Sequence, residues 1–397
     1  MKLKIAALGT KGIPHPGGIE LVMEEIGTRL VRKGHQFDIF VRKHYMGKNS
    51  LSQYRGIGLP RSPGLHNKYL DALSHSASAL TSISWKQYNV VYINSVGLST
   101  LAWLPRAVGK KVVVHTHGLD WKRAKWGPLA KRLIRMSAWT SIRLPHLTFC
   151  VCLEDKRFLE NTYGRPCFYI PNGIPKVIIR KPNQIVKLGL VAGEYLLFMA
   201  RLVPEKGAHL LLEAWAKIPT ESKRGKKLVI AGDSNHRDGY YHHLRTFDRS
   251  EDVLFTGFAT GGLKEELLSN ALCFVQPSTI EGMPLSILEA MGYGRTILAS
   301  DIKENKDVLS GHCWTFQSGN VDDLSQKIAR VLCLRKEILE HQGKKINKFG
   351  TENYNWDRIA NKVEEILIDL VLNQYNEFRP SKYEETKRYL PKDQTSF

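Results

Sequence analysis

Two doubly wound α/β domains are predicted for this chain, and three observations predict them. Short apolar, β-branched runs alternate with segments of helical periodicity, the pattern of buried parallel strands joined by crossover helices. That alternation fades between Pro175 and Val191 and then restarts. The length, 397 residues, exceeds what one hydrophobic core usually serves, so two units of roughly 180 residues are expected.

The first domain opens on an apolar strand, Lys4–Leu8. A glycine-rich turn (Gly9, Gly12, Gly17, Gly18) leads into a helix from Ile19 to Arg32, which Gly34-His35 ends. Further strands are read at Phe37–Val41, Val90–Ile93, Lys111–His115 and Leu147–Val151. Pro171-Asn172-Gly173 is a turn, and the weakly periodic stretch after it places the domains at 1–178 and 179–355. The second domain reads as strand Tyr195–Met199, a helix from Ala208, and strands Lys227–Ala231, Val253–Thr256 and Cys273–Gln276. A helix near Pro284–Met291 and strand Thr296–Ala299 complete it. A helical pattern begins at Trp356, giving a terminal helix over 356–375, and 376–397 form a polar tail.

Composition narrows the class. An apolar fraction of 43% and a charged fraction of 24% are ordinary for a soluble globular protein and exclude a disordered or collagen-like chain. No run of about 18 uncharged apolar residues occurs, so a membrane-spanning helix is not expected. The start, Met1 to Gly9, has too short an apolar part for a signal peptide and reads as the first buried strand. The six cysteines (150, 152, 167, 273, 313, 333) include no Cys-x-x-Cys pair; they point away from zinc and toward reduced thiols in a cytosolic protein.

The net charge is +20 and is unevenly placed. Residues 1–178 hold 27 Lys/Arg against 9 Asp/Glu, which is +18, while the remaining 219 hold 31 against 29, which is +2. From Trp121 to Leu153 there is no acid, whereas Lys122, Arg123, Lys125, Lys131, Arg132, Arg135 and Arg143 accumulate among Trp121, Trp126 and Trp139. Pro128 and the residues after it read as a helix with Pro in its first turn. Basic amphipathic segments with Trp suit an anionic membrane surface; a solvated helix face and a nucleic-acid contact are the other readings. No nucleic-acid motif accompanies the charge, and the membrane reading is preferred.

Four motifs carry chemistry. In Glu281-Gly-Met-Pro-Leu-Ser-Ile-Leu-Glu289, a strand runs into a Gly–Pro turn and a helix. The free amides of its first turn, around Leu285 and Ser286, favour an anion such as a diphosphate. Glu281 and Glu289 on either side can each accept from hydroxyls, which together describes a nucleotide sugar; the plainer alternative is a dipole-favoured acid and an exposed one. Arg201 and Lys206, five residues apart on the loop after a strand, can neutralise charge developing on a diphosphate leaving group, or be merely solvated. Gly17-Gly18 permits close backbone approach to a ligand. His115-Thr-His117-Gly118 closes a strand at the edge where open α/β sheets bind ligands; His117 can reach a sugar hydroxyl while His115 faces the other way.

Glu-x7-Glu after an apolar strand, Arg-x4-Lys-Gly opening the second domain, and the N-terminal Gly-Gly loop together resemble the family-4 retaining glycosyltransferases of GT-B fold, over about residues 1–370. Gly9-Thr-Lys-Gly-Ile-Pro, Gly17-Gly-Ile-Glu20 and His117-Gly-Leu-Asp-Trp-Lys-Arg-Ala-Lys-Trp126 further resemble a bacterial branch of polysaccharide rhamnosyltransferases. The resemblance implies two Rossmann-like domains facing across a cleft, with the C-terminal helix crossing back to the first. It implies that Glu289 holds the ribose hydroxyls, Glu281 the transferred sugar, and Arg201 and Lys206 the diphosphate. Gly282, Met283, Leu285 and Ser286 line the donor site, the Gly17-Gly18 loop closes over it, and His117 contacts the sugar near its reacting carbon. Phe258 falls where the family contacts the base. One departure is Ile19, where many relatives carry an aromatic residue.

No Asp-x-Asp occurs, so the leaving diphosphate is expected to be stabilised by Arg201, Lys206 and helix amides, with no metal and no cofactor. The resemblance implies front-side displacement with retention. A hexose, rhamnose among the candidates, is expected to pass from a nucleotide-diphosphate sugar to a polyprenyl-diphosphate-linked saccharide in bacterial surface polysaccharide (capsule) synthesis. The enzyme is expected to lie peripherally at the inner face of the cell membrane, with Trp121, Lys122, Arg123, Lys125, Trp126, Lys131, Arg132 and Arg135 on the acceptor and membrane side. Nucleic acid is not expected as a partner. Rival readings are a nucleotide-sugar epimerase of the same fold, which needs catalytic acids near His117, and a non-catalytic binder of polyanion or membrane. The latter gains nothing from Glu281 and Glu289.

Overall fold

The computed structural model describes residues 1–15, 17–46, 51–65, 67, 70–118, 127–234, 239–249 and 251–373. They form two compact units. The first comprises Met1–Asn172 and the C-terminal helix Trp356–Val371. Its strands are β1 (Lys4–Leu8), β2 (Gln36–Ile39), β3 (Val41–Arg42), β4 (Gln53–Tyr54), β5 (Ile57–Gly58), β6 (Arg61–Ser62), β7 (Val90–Asn94), β8 (Lys111–Thr116), β9 (Leu147–Cys150) and β10 (Phe168–Tyr169). Eight of them form one sheet, ordered β10-β9-β8-β7-β1-β2-β5-β4, parallel except for the β4–β5 hairpin; β3 and β6 pair separately. The order reverses between β1 and β7, the switch point at which such sheets open a crevice at their carboxyl edge.

These strands are apolar throughout because helices cover both faces. Ile5, Ala7, Tyr92 and Val113 point to one side, where the helix Gly18–Arg32 buries Val22, Met23, Ile26 and Leu30. The terminal helix joins that same core through Trp356, Ile359, Val363, Ile366, Leu367 and Leu370, each fully or almost fully buried. At about 2 kcal/mol per buried side chain, this stripe is what holds the chain's end on the first unit. Polar contacts fix its register: Lys362 Nζ donates to the Tyr169 carbonyl, Arg29 Nε to Asp357, and Lys33 and His35 engage Glu364. The opposite face buries Ala6, Leu8, Val91, Ile93, Val112 and Val114 beneath the helix Asp71–Trp85.

The second unit, Gly173–Asn355, carries β11 (Tyr195–Met199), β12 (Lys227–Ala231), β13 (Val253–Gly257), β14 (Cys273–Gln276), β15 (Thr296–Ser300) and β16 (Trp314–Phe316). They form a parallel sheet ordered β13-β12-β11-β14-β15-β16, whose switch point lies between β11 and β14. Leu196, Phe198, Leu228, Ile230, Val275 and Leu298 bury one face against helices that include Ala208–Ala216 and Val321–Cys333.

The division falls between Asn172 and Gly173, six residues ahead of the boundary read at 178. The reason is contact with that unit: Ile174 N donates to the Tyr354 carbonyl at 2.8 Å, and the Ile174 and Val177 side chains lie against Gly292. Further along the same segment, Glu266 on the helix Gly261–Asn270 accepts from the amides of Asn183 and Ile185 at 2.9 and 3.2 Å. The C-terminal helix ends at Val371, and the tail read at 376–397 lies outside the described residues. No helix among the described residues is long and apolar enough to cross a membrane.

Candidate functional site

Chemistry-bearing side chains gather at the carboxyl edge of each sheet. In the first unit, β1 ends at Leu8 and Gly9 takes φ +103, a conformation that side chains rarely adopt. A Cβ there would meet the Asn94 carbonyl oxygen at 2.3 Å, so glycine lets the chain pass close to the end of β7. The turn then runs to the helix Gly18–Arg32, and its acid Glu20, 8% exposed, folds back onto it. Glu20 Oε1 accepts from the Lys11 amide at 2.9 Å. A Cβ on Gly17 would sit 2.0 Å from Glu20 Oε2. The Glu20 carboxylate thus lies beside Gly17.

The histidines separate as the strand alternation requires. His115 is buried, with Nδ1 2.9 Å from the Tyr92 hydroxyl, and burial pushes its pKa well below the ordinary value. His117, half-buried beyond the end of β8, has Nε2 3.0 Å from Asn94 Oδ1.

In the second unit, Lys206 and Glu281 meet. Lys206 follows β11 on a short turn, Pro204–Lys206, and Gly207 takes φ +72, where a Cβ would strike the Pro277 carbonyl oxygen at 2.1 Å. Thr279 N donates to the Glu205 carbonyl at 3.0 Å, which clamps this loop to the one after β14. As a result Lys206 Nζ lies 2.6 and 2.7 Å from the two oxygens of Glu281. Glu281 also accepts from Gln276 Nε2 at 2.9 Å and from Ser278 Oγ at 2.7 Å. Gln276 is itself fixed by Ser286 Oγ, which donates to its Oε1 at 2.9 Å. The Glu281 carboxylate, 5% exposed, is thus held at both oxygens, most heavily at Oε1.

The helix reads from Leu285 to Gly292, with Pro284 as N-cap and no side-chain cap. Its first amides, those of Leu285 and Ser286, therefore keep their capacity for an anion. Gly282 and Met283 form the turn before it, with Met283 largely buried. Glu289, on the second turn, binds Lys264 Nζ through Oε1 at 2.6 Å. Arg201 is exposed, and no side-chain bond holds it among the described residues. Phe258, just past β13, is 58% exposed, an uncommon state for a large aromatic and one suited to stacking.

Sequence reasoning missed Asn94, Lys264, Gln276 and Ser278. The proximity of Gln276 and Ser278 to Glu281 was visible; the pairing of Asn94 with His117 and of Lys264 with Glu289 requires the sheet order. Of the basic stretch, Trp121, Lys122, Arg123, Lys125 and Trp126 lie outside the described residues, as does the side chain of Lys131. Arg132 and Arg135 are exposed on the helix Pro128–Arg143. Met136 (63%) and Trp139 (50%) are exposed with them, at spacings that place all four on one side of that helix.

Two family models match the chain: Glycosyltransferase Family 4 over residues 16–176 and Glycosyl transferases group 1 over residues 181–346. The Anabaena protein HepE, solved in complex with UDP and glucose, has the same fold. Its TM-score is 0.75 at 18% identity, covering 92% of this chain and 100% of HepE. The chain is a glycosyltransferase of GT-B fold. This glycosyltransferase is 26% identical to the Escherichia coli UDP-Gal:alpha-D-GlcNAc-diphosphoundecaprenol alpha-1,3-galactosyltransferase, over 73% of this chain and 77% of that one. It is 25% identical to the alpha-monoglucosyldiacylglycerol synthase of Streptococcus pneumoniae, over 91% and 84% respectively.

Proposed function

We propose that this glycosyltransferase moves a hexose from a nucleotide-diphosphate sugar to a lipid-carried saccharide, with retention at the anomeric carbon. The observation that carries the reading is the Lys206–Glu281 pair beside the uncapped helix at Leu285, at the switch point of the second sheet. A diphosphate placed there meets the Lys206 ammonium, the exposed Arg201 and the amides of Leu285 and Ser286. Glu281 takes a hydroxyl of the transferred sugar in exchange for part of its bond to Lys206. Glu289 takes the ribose hydroxyls and Phe258 the base, while Gly282 and Met283 shape the turn between them.

The bond from the anomeric carbon to the diphosphate oxygen breaks as the acceptor oxygen attacks the same face. The acceptor proton passes to the departing phosphate. Charge on the leaving group is carried by Lys206, Arg201 and the helix amides, so divalent metal is not required.

Both relatives named above are named for lipid or lipid-diphosphate chemistry, which favours a lipid-linked acceptor such as a polyprenyl-diphosphate saccharide. The exposed Arg132, Arg135, Met136 and Trp139 favour docking at an anionic membrane and support a peripheral position at the inner face of the cell membrane. The resemblance of residues 117–126 to polysaccharide rhamnosyltransferases makes rhamnose one donor sugar to test, beside galactose and glucose, in surface polysaccharide synthesis.

A panel of nucleotide sugars, each assayed for nucleoside-diphosphate release with and without a lipid-diphosphate saccharide, tests the reading. One donor is expected to be consumed faster with acceptor present, and Lys206→Ala should abolish the gain. Acceptor-independent release from every donor would remove the lipid-linked reading.

A further inference from the structure

Tyr45, in the turn after β3, is 39% exposed and ringed by bases. Lys11 Nζ lies 5.0 Å from the centre of its ring and Arg42 Cζ 5.9 Å. The His44 ring lies 4.4 Å from it, and the His15 ring meets it edge-on at 5.8 Å. These residues come from two loops at the carboxyl edge of the first sheet, one after β1 and one after β3. Arg42 N donates to the Lys11 carbonyl at 3.0 Å, and Gly12 lets Met46 pass where a Cβ would meet its Sδ at 2.6 Å. The cluster is therefore assembled by the fold itself.

The acids beside it are already engaged. Asp71 is buried; its Oδ2 accepts from Arg42 Nη1 at 2.7 Å, and its Oδ1 lies 3.2 Å from His44 Nε2. Glu20 Oε1 accepts from the Lys11 amide at 2.9 Å. Among the described residues no carboxylate reaches the Lys11 ammonium, and nothing bonds the Tyr45 hydroxyl. A cation–π contact at an exposed site contributes only about 0.5–1 kcal/mol, so stability does not account for gathering four bases on one ring. An ammonium and a phenolic O–H on the same ring, with imidazoles against it, supply donors to an anion that carries several oxygens.

We propose that the Lys11–Tyr45 cluster is an anion subsite of the first unit, which takes the diphosphate joining the acceptor saccharide to its lipid. The proposal rests on the lipid-linked acceptor read above and names the part of that acceptor which is recognised. Lys11 carries the charge, the Tyr45 hydroxyl donates to a phosphate oxygen, and Asp71 holds Arg42 and His44 in place around them.

Ring signals of full-length protein labelled with ¹⁵N-histidine read binding locally, with His15 and His44 assigned by their loss in His15→Gln and His44→Gln. On addition of inorganic pyrophosphate both are expected to move to a plateau, and to do so equally in Lys206→Ala, which lacks the proposed donor-side cation. Lys11→Ala should weaken that titration about tenfold, the loss of one charged hydrogen bond, and Lys11→Arg should restore most of it. With a lipid-diphosphate saccharide as acceptor, Lys11→Ala should raise the acceptor KM about tenfold and leave the donor KM nearly unchanged. Ring signals that stay still, or that move alike in parent and Lys11→Ala, would overturn the subsite; Tyr45→Phe, which keeps the ring, serves if the alanine variant does not fold. A rise confined to the donor KM would overturn its assignment to the acceptor. If no lipid-linked acceptor is used in any form, the acceptor reading itself fails, and the pyrophosphate titration decides separately whether the anion binds here.

Discussion

Lys206 Nζ lies within 2.7 Å of both carboxylate oxygens of Glu281, although 75 residues separate them in sequence. Two loops bring them together, one after β11 and one after β14, because those strands are neighbours in the sheet. The pair is formed without a ligand. Under the proposed function, an entering diphosphate finds its cation already placed and neutralised, and shares Lys206 with Glu281 instead of recruiting it from solvent.

Lys206→Ala is expected to lower turnover about 10²–10³-fold, the usual loss on removing one charge-stabilising donor. It leaves a largely buried Glu281 carboxylate with Gln276 and Ser278 as donors, so stability should fall by roughly 1–3 kcal/mol without unfolding. Steady-state kinetics beside a denaturant titration checks both. Wild-type turnover in the variant would remove Lys206 from the diphosphate site.

Lys264 and Glu289 should affect nucleotide affinity more than the chemical step. Their contact is 2.6 Å, and both belong to the proposed ribose side of the site. Glu289→Ala is expected to weaken nucleoside-diphosphate binding by about tenfold or more, as for one or two lost hydrogen bonds. Lys264→Ala should weaken it less. Isothermal titration measures this, and equal affinities in parent and Glu289→Ala would contradict the ribose assignment.

Gly207→Ala tests the clamp between the two loops. Its φ is +72 and its Cβ would lie 2.1 Å from the Pro277 carbonyl oxygen, so a backbone shift is forced. Gly193 has φ +79 but open space around it. Gly193→Ala should cost only about 1–2 kcal/mol of strain and spare kcat. Gly207→Ala should cost more and reduce kcat as well. Comparable melting and kinetics for the two would show that the clamp does not position Lys206.

Low pH should destabilise the first unit. Burial holds the pKa of His115 well below its ordinary value, and burial aided by nearby cations brings His75 and His146 to about 4. Because these folded-state values are depressed bases, the unfolded chain binds more protons below about pH 6.5. Their contribution is therefore complete above pH 6.5 and is lost progressively as pH falls toward 4. Denaturation midpoints measured from pH 7.5 to 4.5 should decline across that window, and a flat profile would count against neutral buried histidines.

Much of the fold was legible because parallel strands covered on both faces are written as continuous apolar runs, as in Val112–Val114 and Leu196–Phe198. Short edge strands such as Phe168–Tyr169 and Trp314–Phe316 carry too few residues for a period to register. The helix Asp71–Trp85 was missed because its serines and threonine dilute the apolar stripe. The helix Val321–Cys333 was missed too, although Asn320 caps it by accepting from the Asp323 amide at 3.0 Å. Within the site, Lys206, Glu281 and Glu289 were legible as motif residues. Lys264 and Asn94, the partners of Glu289 and His117, were not, because they reach them only through the order of strands and helices in the folded sheets.

The exposed face of the helix Pro128–Arg143 should bind anionic vesicles. Reversing Lys131, Arg132 and Arg135 to Glu is expected to reduce sedimentation with such vesicles and transfer to a lipid-linked acceptor, but to spare slow donor hydrolysis. Binding by the parent should weaken as salt rises, since exposed charges are screened over about 10 Å at 0.1 M. Unchanged vesicle binding in the reversed protein would leave the membrane reading without support.

The most direct measurement is the anomeric configuration of the product formed from whichever nucleotide sugar the enzyme consumes, read by NMR in the presence of EDTA. Expected is a glycoside with the donor's own anomeric configuration, formed at the same rate with and without the chelator and lost in Lys206→Ala. An inverted product, or activity that disappears in EDTA and returns with Mg²⁺ or Mn²⁺, would contradict a retaining transfer in which Lys206, Arg201 and the helix amides carry the leaving diphosphate.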